Sequence, residues 1–161
     1  MLGMPYNVVK GNFMEAVSIT ASLEDYLETI YEIIEEKQGV KAVEVAKRLN
    51  VKRSSVTEAL KNLAEKKLVN YGRYDVISLT PSGVKVAKKV IEKHKTLYDF
   101  FTKILGLSAE EASISACKVE HVITEDVLQR LIAFVEFNNN FYCSEKKYID
   151  EFKKFYTELK K

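Results

Sequence analysis

The sequence predicts a mainly α-helical chain in two parts, a small helix-and-hairpin domain followed by an all-helical one. Three observations carry this. Only two Pro and six Gly interrupt 161 residues rich in Glu, Lys, Leu, Val and Ile, a composition suited to helix. Apolar residues recur at helical period through most of the length. Residues 68–79 break that pattern with two β-rich runs around a Gly-containing turn, the signature of a hairpin.

A hydrophobic content of 47% with 30% charged residues is that of an ordinary globular chain able to bury a core. No apolar run reaches membrane-spanning length, which excludes a bilayer helix. Residues 1–21 are mildly apolar but contain Lys10 and Glu15, so they read as an N-terminal leader and make a poor signal peptide. Cys117 and Cys143 stand far apart in a Lys/Glu-rich chain, unlike a disulfide framework. A cytoplasmic protein is expected.

Residues 22–80 form the first predicted domain. Leu23, Leu27, Ile30 and Ile34 make a helical stripe over Ser22–Glu36. Ser22-x-x-Asp25 fits a capping box at its start. The helix carries six acids, Glu24, Asp25, Glu28, Glu32, Glu35 and Glu36, and no base. Such a one-signed face repels itself, so a cation is expected beside it. Gly39 breaks the helix, and Val40–Leu49 reads as a short second one. After a turn at Asn50–Arg53, Ser54 caps a third helix running to about Lys66. Two short helices joined by a tight turn are a helix-turn-helix. Leu68–Tyr71 and Val76–Leu79 then pair as a hairpin, which makes the domain a winged helix. Residues 41–74 hold nine Lys/Arg against three Glu, a local excess of the kind that phosphate binding needs although the whole chain is only +2.

Thr80-Pro81 starts a long connecting helix over residues 81–105, ended by Gly106. Residues 106–161 form an all-helical domain. Ser108 and Glu111 make a capping box for a helix expected to reach Val122. Cys117, Glu120 and His121 fall at i, i+3 and i+4 on it, one face carrying three transition-metal ligand types. Read alone, the triplet is either a metal site or a packed thiol, a solvated acid and a core imidazole. Thr124 caps the next helix, whose apolar residues surround much of its circumference. That is the pattern of a helix covered by its own core and by a second subunit. Asn138–Asn140 reads as a loop, and Ser144 caps a final amphipathic helix.

Ser22-Leu23-Glu24-Asp25-Tyr26-Leu27-Glu28, Ser54-Ser55-Val56-Thr57, Leu79-Thr80-Pro81-Ser82-Gly83, His94 and Cys117-x-x-Glu120-His121 together resemble the diphtheria-toxin-repressor and manganese-transport-regulator family of metal-dependent repressors. The likeness spans about residues 22–138 and fits the shorter branch without an SH3-like third domain. It implies that Asp25, Glu28, His94, Cys117, Glu120 and His121 are metal ligands, with a second ion held by Glu28, His94 and Glu120 as an option. The set mixes two branches. Manganese regulators carry Glu where Cys117 stands, and iron regulators carry Met where Asp25 stands. Tyr98 and Ser113 occupy the positions of the iron branch's ancillary acid and His.

The expected function is a homodimeric, divalent-metal-activated repressor of palindromic operator DNA that controls metal-ion homeostasis. The ion is Fe²⁺ or Mn²⁺, with Zn²⁺ or Co²⁺ as further options, because a thiolate ligand gives Fe²⁺, Zn²⁺ and Co²⁺ ground over Mn²⁺. Ser54, Ser55, Thr57, Glu58 and Lys61 would face bases or phosphates, and Lys52, Arg53 and Arg73 phosphates. The alternative is a winged-helix regulator of an organic ligand with a structural Cys/Glu/His set. An enzyme is not expected, because the sequence shows no nucleophile–base pair, no zinc-protease motif and no Gly-rich phosphate loop. Double-stranded DNA and a second copy are the expected partners, with no small-molecule substrate.

Overall fold

The computed structural model describes residues 19–37, 39–72, 76–141 and 147–159, apart from the side chains of residues 139–141 and 147–149. Most of the leader therefore lies outside the described residues, as do Arg73, Cys143 and Ser144. Seven helices are described: α1 Ala21–Glu36, α2 Ala42–Arg48, α3 Arg53–Glu65, α4 Pro81–Asp99, α5 Ala109–Val119, α6 Glu125–Phe141 and α7 Lys147–Leu159. Strands β1 Val69–Asn70 and β2 Ser78–Leu79 separate α3 from α4. The architecture is mainly α, a winged helix-turn-helix followed by an all-helical part.

The first core gathers Leu27 and Ile30 of α1, Val45 of α2, Val56, Leu60 and Leu63 of α3, and Leu68 and Ile77 from the wing. Each such side chain taken from water contributes about 1.5–3 kcal/mol. A second buried group comprises Leu97, Ile104, Ala112, Ala116, Leu128 and Val135. Helix α4 packs against α1 at one end and against α5 and α6 beyond it. It continues through a π-helical turn, Phe100–Ile104, until Gly106 takes a positive φ of 69°.

Local geometry explains the helix-turn-helix. Helix α2 ends with Asn50 at φ 52°, a left-handed conformation that Asn tolerates. The Val51 amide then donates to Ala46 O and the Asn50 amide to Lys47 O, the paired bonds of a Schellman ending. Lys67, at φ 58°, ends α3 in the same way, with Leu68 N–H on Leu63 O and Lys67 N–H on Ala64 O.

Several sequence expectations need correction. Thr20, not Ser22, caps α1, its hydroxyl accepting from the Leu23 amide, so Asp25 belongs to no capping box. Lys52, not Ser54, is the cap of α3, with no side-chain bond closing that end. The β-ladder has two residue pairs, Val69 with Leu79 and Asn70 with Ser78. It is short because Leu68 completes the ending of α3 while Ile77 bridges to Val40. Asn138–Asn140 is helix, and the Asn138 side chain donates back to Phe134 O instead of breaking α6. Helix α5 stops at Val119, where the Val122 and Ile123 amides both turn back onto Val119 O. Glu120 is its C-cap and His121 lies in the turn beyond.

The start of α4 is stitched to the wing. Thr80 Oγ1 donates to Lys67 O at 2.7 Å and accepts from the Gly83 amide at 3.0 Å. A Cβ on Gly83 would stand 1.9 Å from Leu68 O, a contact that only backbone movement relieves. Gly83→Ala should therefore destabilise the metal-free protein by about 1–3 kcal/mol, the usual cost of overpacking. Urea unfolding followed by circular dichroism measures it.

Candidate metal centre and DNA-facing surface

Glu24, Asp25 and Glu28 stand on one stripe of the first turns of α1, because positions three and four apart are neighbours on a helix. That stripe meets His94 of α4 and the Glu120-His121 turn after α5. His121 Nδ1 lies 2.7 Å from Glu24 Oε2 in a hydrogen bond. Its Nε2 lies 2.9 Å from Asp25 Oδ1 and 3.4 Å from Glu120 Oε1. His94 Nδ1 lies 2.7 Å from Glu120 Oε2.

Asp25, Glu120 and His121 each bring one ligand atom within 4.8 Å of the others. Among the described residues no other cluster of this kind occurs. Glu120 is only 1% exposed. Its Oε1 and His121 Nε2 are buried without a hydrogen bond, since the approach of Asp25 to Nε2 has ion-pair distance but not hydrogen-bond geometry. Two orphaned buried polar atoms facing a second carboxylate fit a divalent cation, which satisfies both at once.

Electrostatics points the same way. Burial, then the charges of Glu120 and Glu32, push the Glu28 carboxyl up to about 7 against the opposing effect of His94. Burial also raises Glu120, although the bond from His94 counters it. The Cys117 thiol is raised by burial and then by Glu120, Asp25 and Glu28. Burial opposes charge on His121, but the Glu24 bond and the surrounding carboxylates outweigh it and raise its pKa. A bound cation would reverse the penalty on every one of these anions.

The six candidate ligands are not equivalent. Asp25, Glu120 and His121 converge. His94 joins through Glu120. Glu28 and Cys117 feel Glu120 electrostatically but lie outside the converging set, and Cys117 is exposed. Glu24 was missed by sequence reasoning, although its place beside Asp25 and one turn before Glu28 was a usable signal. The acids of α1 are also not without a base. Arg48 of α2 binds Glu36 through two nitrogens and approaches Glu32.

On α3, Lys52, Arg53, Ser54, Ser55, Glu58 and Lys61 are exposed, and Thr57 is half-buried with its hydroxyl on Arg53 O. Val56, Ala59, Leu60 and Leu63 fill the opposite, buried face. Helix α3 thus presents an open polar and basic side to solvent, as a helix entering a major groove must. Arg48 of the neighbouring α2 is instead engaged with Glu36 of α1.

A winged helix-turn-helix with an exposed basic recognition face, joined through α4 to a helical domain with a cation-shaped cluster at the junction, defines a metal-responsive DNA-binding regulator. Residues 18–76 match the family model for the iron dependent repressor N-terminal DNA binding domain. Residues 80–148 match that for the iron dependent repressor metal binding and dimerisation domain. The chain is 44% identical over 119 residues to an uncharacterised helix-turn-helix-type transcriptional regulator of Methanocaldococcus jannaschii, covering 73% of this chain and 95% of the relative. It is 36% identical over 118 residues to the transcriptional regulator MntR of Shouchella clausii, covering 73% and 82%. Among solved structures, a manganese-dependent transcriptional repressor in complex with manganese superposes with a TM-score of 0.66 at 29% identity, covering 71% of this chain and 53% of that one. IdeR of T. acidophilum gives 0.64 at 30% identity, with 74% and 55% covered. The chain thus spans just over half the length of these solved structures.

The chain belongs to the iron-dependent repressor family. It is a metal-dependent transcriptional repressor with a DNA-binding N-terminal domain and a metal-binding, dimerising C-terminal domain. Among the described residues no helix is long and apolar enough to cross a membrane.

The raised Glu28 pKa carries a stability signature. Its folded-state value, about 7, lies above the ordinary carboxylate value, so the folded state holds its proton longer as pH rises. Stability from this group is complete below the ordinary value and is lost as pH passes through about 7. Glu28→Gln cannot ionise. In chelator-treated protein it should melt higher than wild type at pH 8, with the gap closing as pH falls toward 5. Thermal melts across that range test it.

Proposed function

We propose that Asp25, Glu120 and His121 hold the activating ion, and that the ion clamps the DNA-binding domain to the dimerisation domain. One observation carries the reading: Glu120 Oε1 and His121 Nε2 are buried, unbonded, and face Asp25 from the other domain. The ion supplies positive charge shared among these three donors. Asp25 sits at the start of α1, so holding it against the α5 turn fixes α1 and, through the shared core, α3. A ligand that favours this closed arrangement shifts the population toward it. Two such α3 helices in a homodimer would then sit at the spacing of successive major grooves on a palindromic operator.

Two carboxylates and one imidazole favour Fe²⁺ or Mn²⁺ over softer ions, and Cys117 at the rim would draw in Zn²⁺ or Co²⁺ by moving inward. Glu28 and His94, with Glu120, offer donors for a second ion. The dimer surface we favour is the apolar groove of Phe100, Phe101, Val122, Val127 and Leu131. It continues along the exposed Phe134 and Phe137 of α6. In this reading the chain is divided into a leader (1–21), a DNA-binding domain (22–80), a linker helix (81–105) and a metal-binding and dimerisation domain (106–161). It works in the cytoplasm, where its operator is, controls metal-ion homeostasis and catalyses no reaction.

Asp25→Ala should abolish metal-dependent operator binding in a gel shift while leaving the metal-free melting curve nearly unchanged, because Thr20 and not Asp25 caps the helix. Wild-type metal activation in that variant would remove the clamp. Lys52→Ala should weaken specific and nonspecific DNA alike and lower the slope of log K against log salt by about one. An unchanged slope would mean that α3 docks by another face.

A further inference from the structure

We propose that Glu24 is a positioning residue for the metal centre, fixing His121 as the tautomer whose Nε2 lone pair faces Asp25 and Glu120. The inference rests on the cation-site reading of that cluster. Glu24 and Asp25 are adjacent on α1, and their carboxylates bracket one imidazole from the far side of the domain boundary. Glu24 Oε2 is 2.7 Å from Nδ1, and Asp25 Oδ1 is 2.9 Å from Nε2. Only the Nδ1 contact is a hydrogen bond, while Nε2 has none. An ionised carboxylate can only accept, so in the neutral imidazole Nδ1 carries the proton and Nε2 is left bare.

Glu24 cannot itself join the ion. It approaches the opposite edge of the ring from the converging donors and is absent from their 4.8 Å group. Its side chain is 18% exposed, against 42% for Asp25, so it is the more withdrawn of the two and the more dependent on a partner. His94 shows the same arrangement, its Nδ1 meeting Glu120 Oε2. Carboxylates thus hold both imidazoles by Nδ1. A second carboxylate behind a ligating imidazole fixes tautomer and ring orientation and raises ligand basicity. Here that carboxylate arrives from α1, so the junction is prepared before any ion is bound.

The test uses the full chain with its two histidines labelled with ¹⁵N, chelated, at a pH where imidazole is neutral. His94→Gln assigns the His121 signals. Wild type should show a protonated Nδ1 and a bare Nε2 at His121. Glu24→Ala should shift His121 toward the Nε2-protonated tautomer that free imidazole prefers, and weaken Mn²⁺ and Zn²⁺ binding by about 10- to 100-fold. Glu24→Gln, whose amide oxygen still accepts from Nδ1, should keep the wild-type tautomer and most of the affinity, which a purely ionic role would not allow. An unchanged tautomer in Glu24→Ala overturns the proposal, as does unchanged affinity for both ions. If wild type has the Nδ1-protonated tautomer yet binds neither ion, the cation-site reading falls and the positioning role falls with it. Should Glu24→Ala fail to fold, loss of the tautomer or of affinity in Glu24→Gln overturns the proposal by itself.

Discussion

Glu120 is a carboxylate taken almost wholly out of water, and its burial sets terms for every element nearby. A buried charge is costly unless other groups compensate it. His94 of α4 bonds one oxygen. The other oxygen has no bond and looks across to His121 Nε2 and the Asp25 carboxylate of α1. One side chain thus ties together α1, α4 and the end of α5, and leaves an unfilled demand for positive charge where they meet. The raised pKa of Glu28 has the same origin, since Glu120 is the largest charge acting on it after burial.

The connecting helix converts that local demand into a statement about domain geometry. Helix α4 is anchored at its first turn by Thr80 on Lys67 O and by the close passage of Gly83 over Leu68. Midway it presents His94 to Glu120. A shift at that contact would reach the wing and the end of α3 through this one helix. Helix α1 offers the second rigid connection, with Glu24 and Asp25 at its first turn and Glu36 held by Arg48 of α2 at its last. The cation cluster and the exposed side of α3 are therefore joined by two helices.

The exposed apolar surface around α6 follows from the size of the helical part. Three short helices and the end of α4 cannot enclose Phe134, Phe137, Val122 and Val127 by themselves. These residues fall within the metal-binding and dimerisation domain, and in the proposed dimer a second copy would supply the missing layer.

Features fixed between chain neighbours were legible in the sequence. The helix-turn-helix, the Thr80-Pro81 start of α4 and the Ser108–Glu111 box of α5 depend on residues within a few positions of one another. The same local rules failed where two candidates stood close together, as with Thr20 against Ser22 and Lys52 against Ser54, because the winning cap depends on where packing starts the helix. Asn138–Asn140 misled because their loop tendency is overridden by a helix that continues through them. The candidate ligands could be named from the sequence, but which of them meet was decided by the tertiary structure. Helical spacing grouped Cys117 with Glu120 and His121; instead α5 ends at Val119 and Asp25 takes the place of the thiol. Glu24 reaches His121 across 97 positions of chain, and Arg48 neutralises acids on another helix. Periodicity describes one element at a time. The packing of α1 on α4 and of α4 on α5 sets distances between elements, and those distances bring residues that the sequence keeps apart into one cluster that could hold a cation.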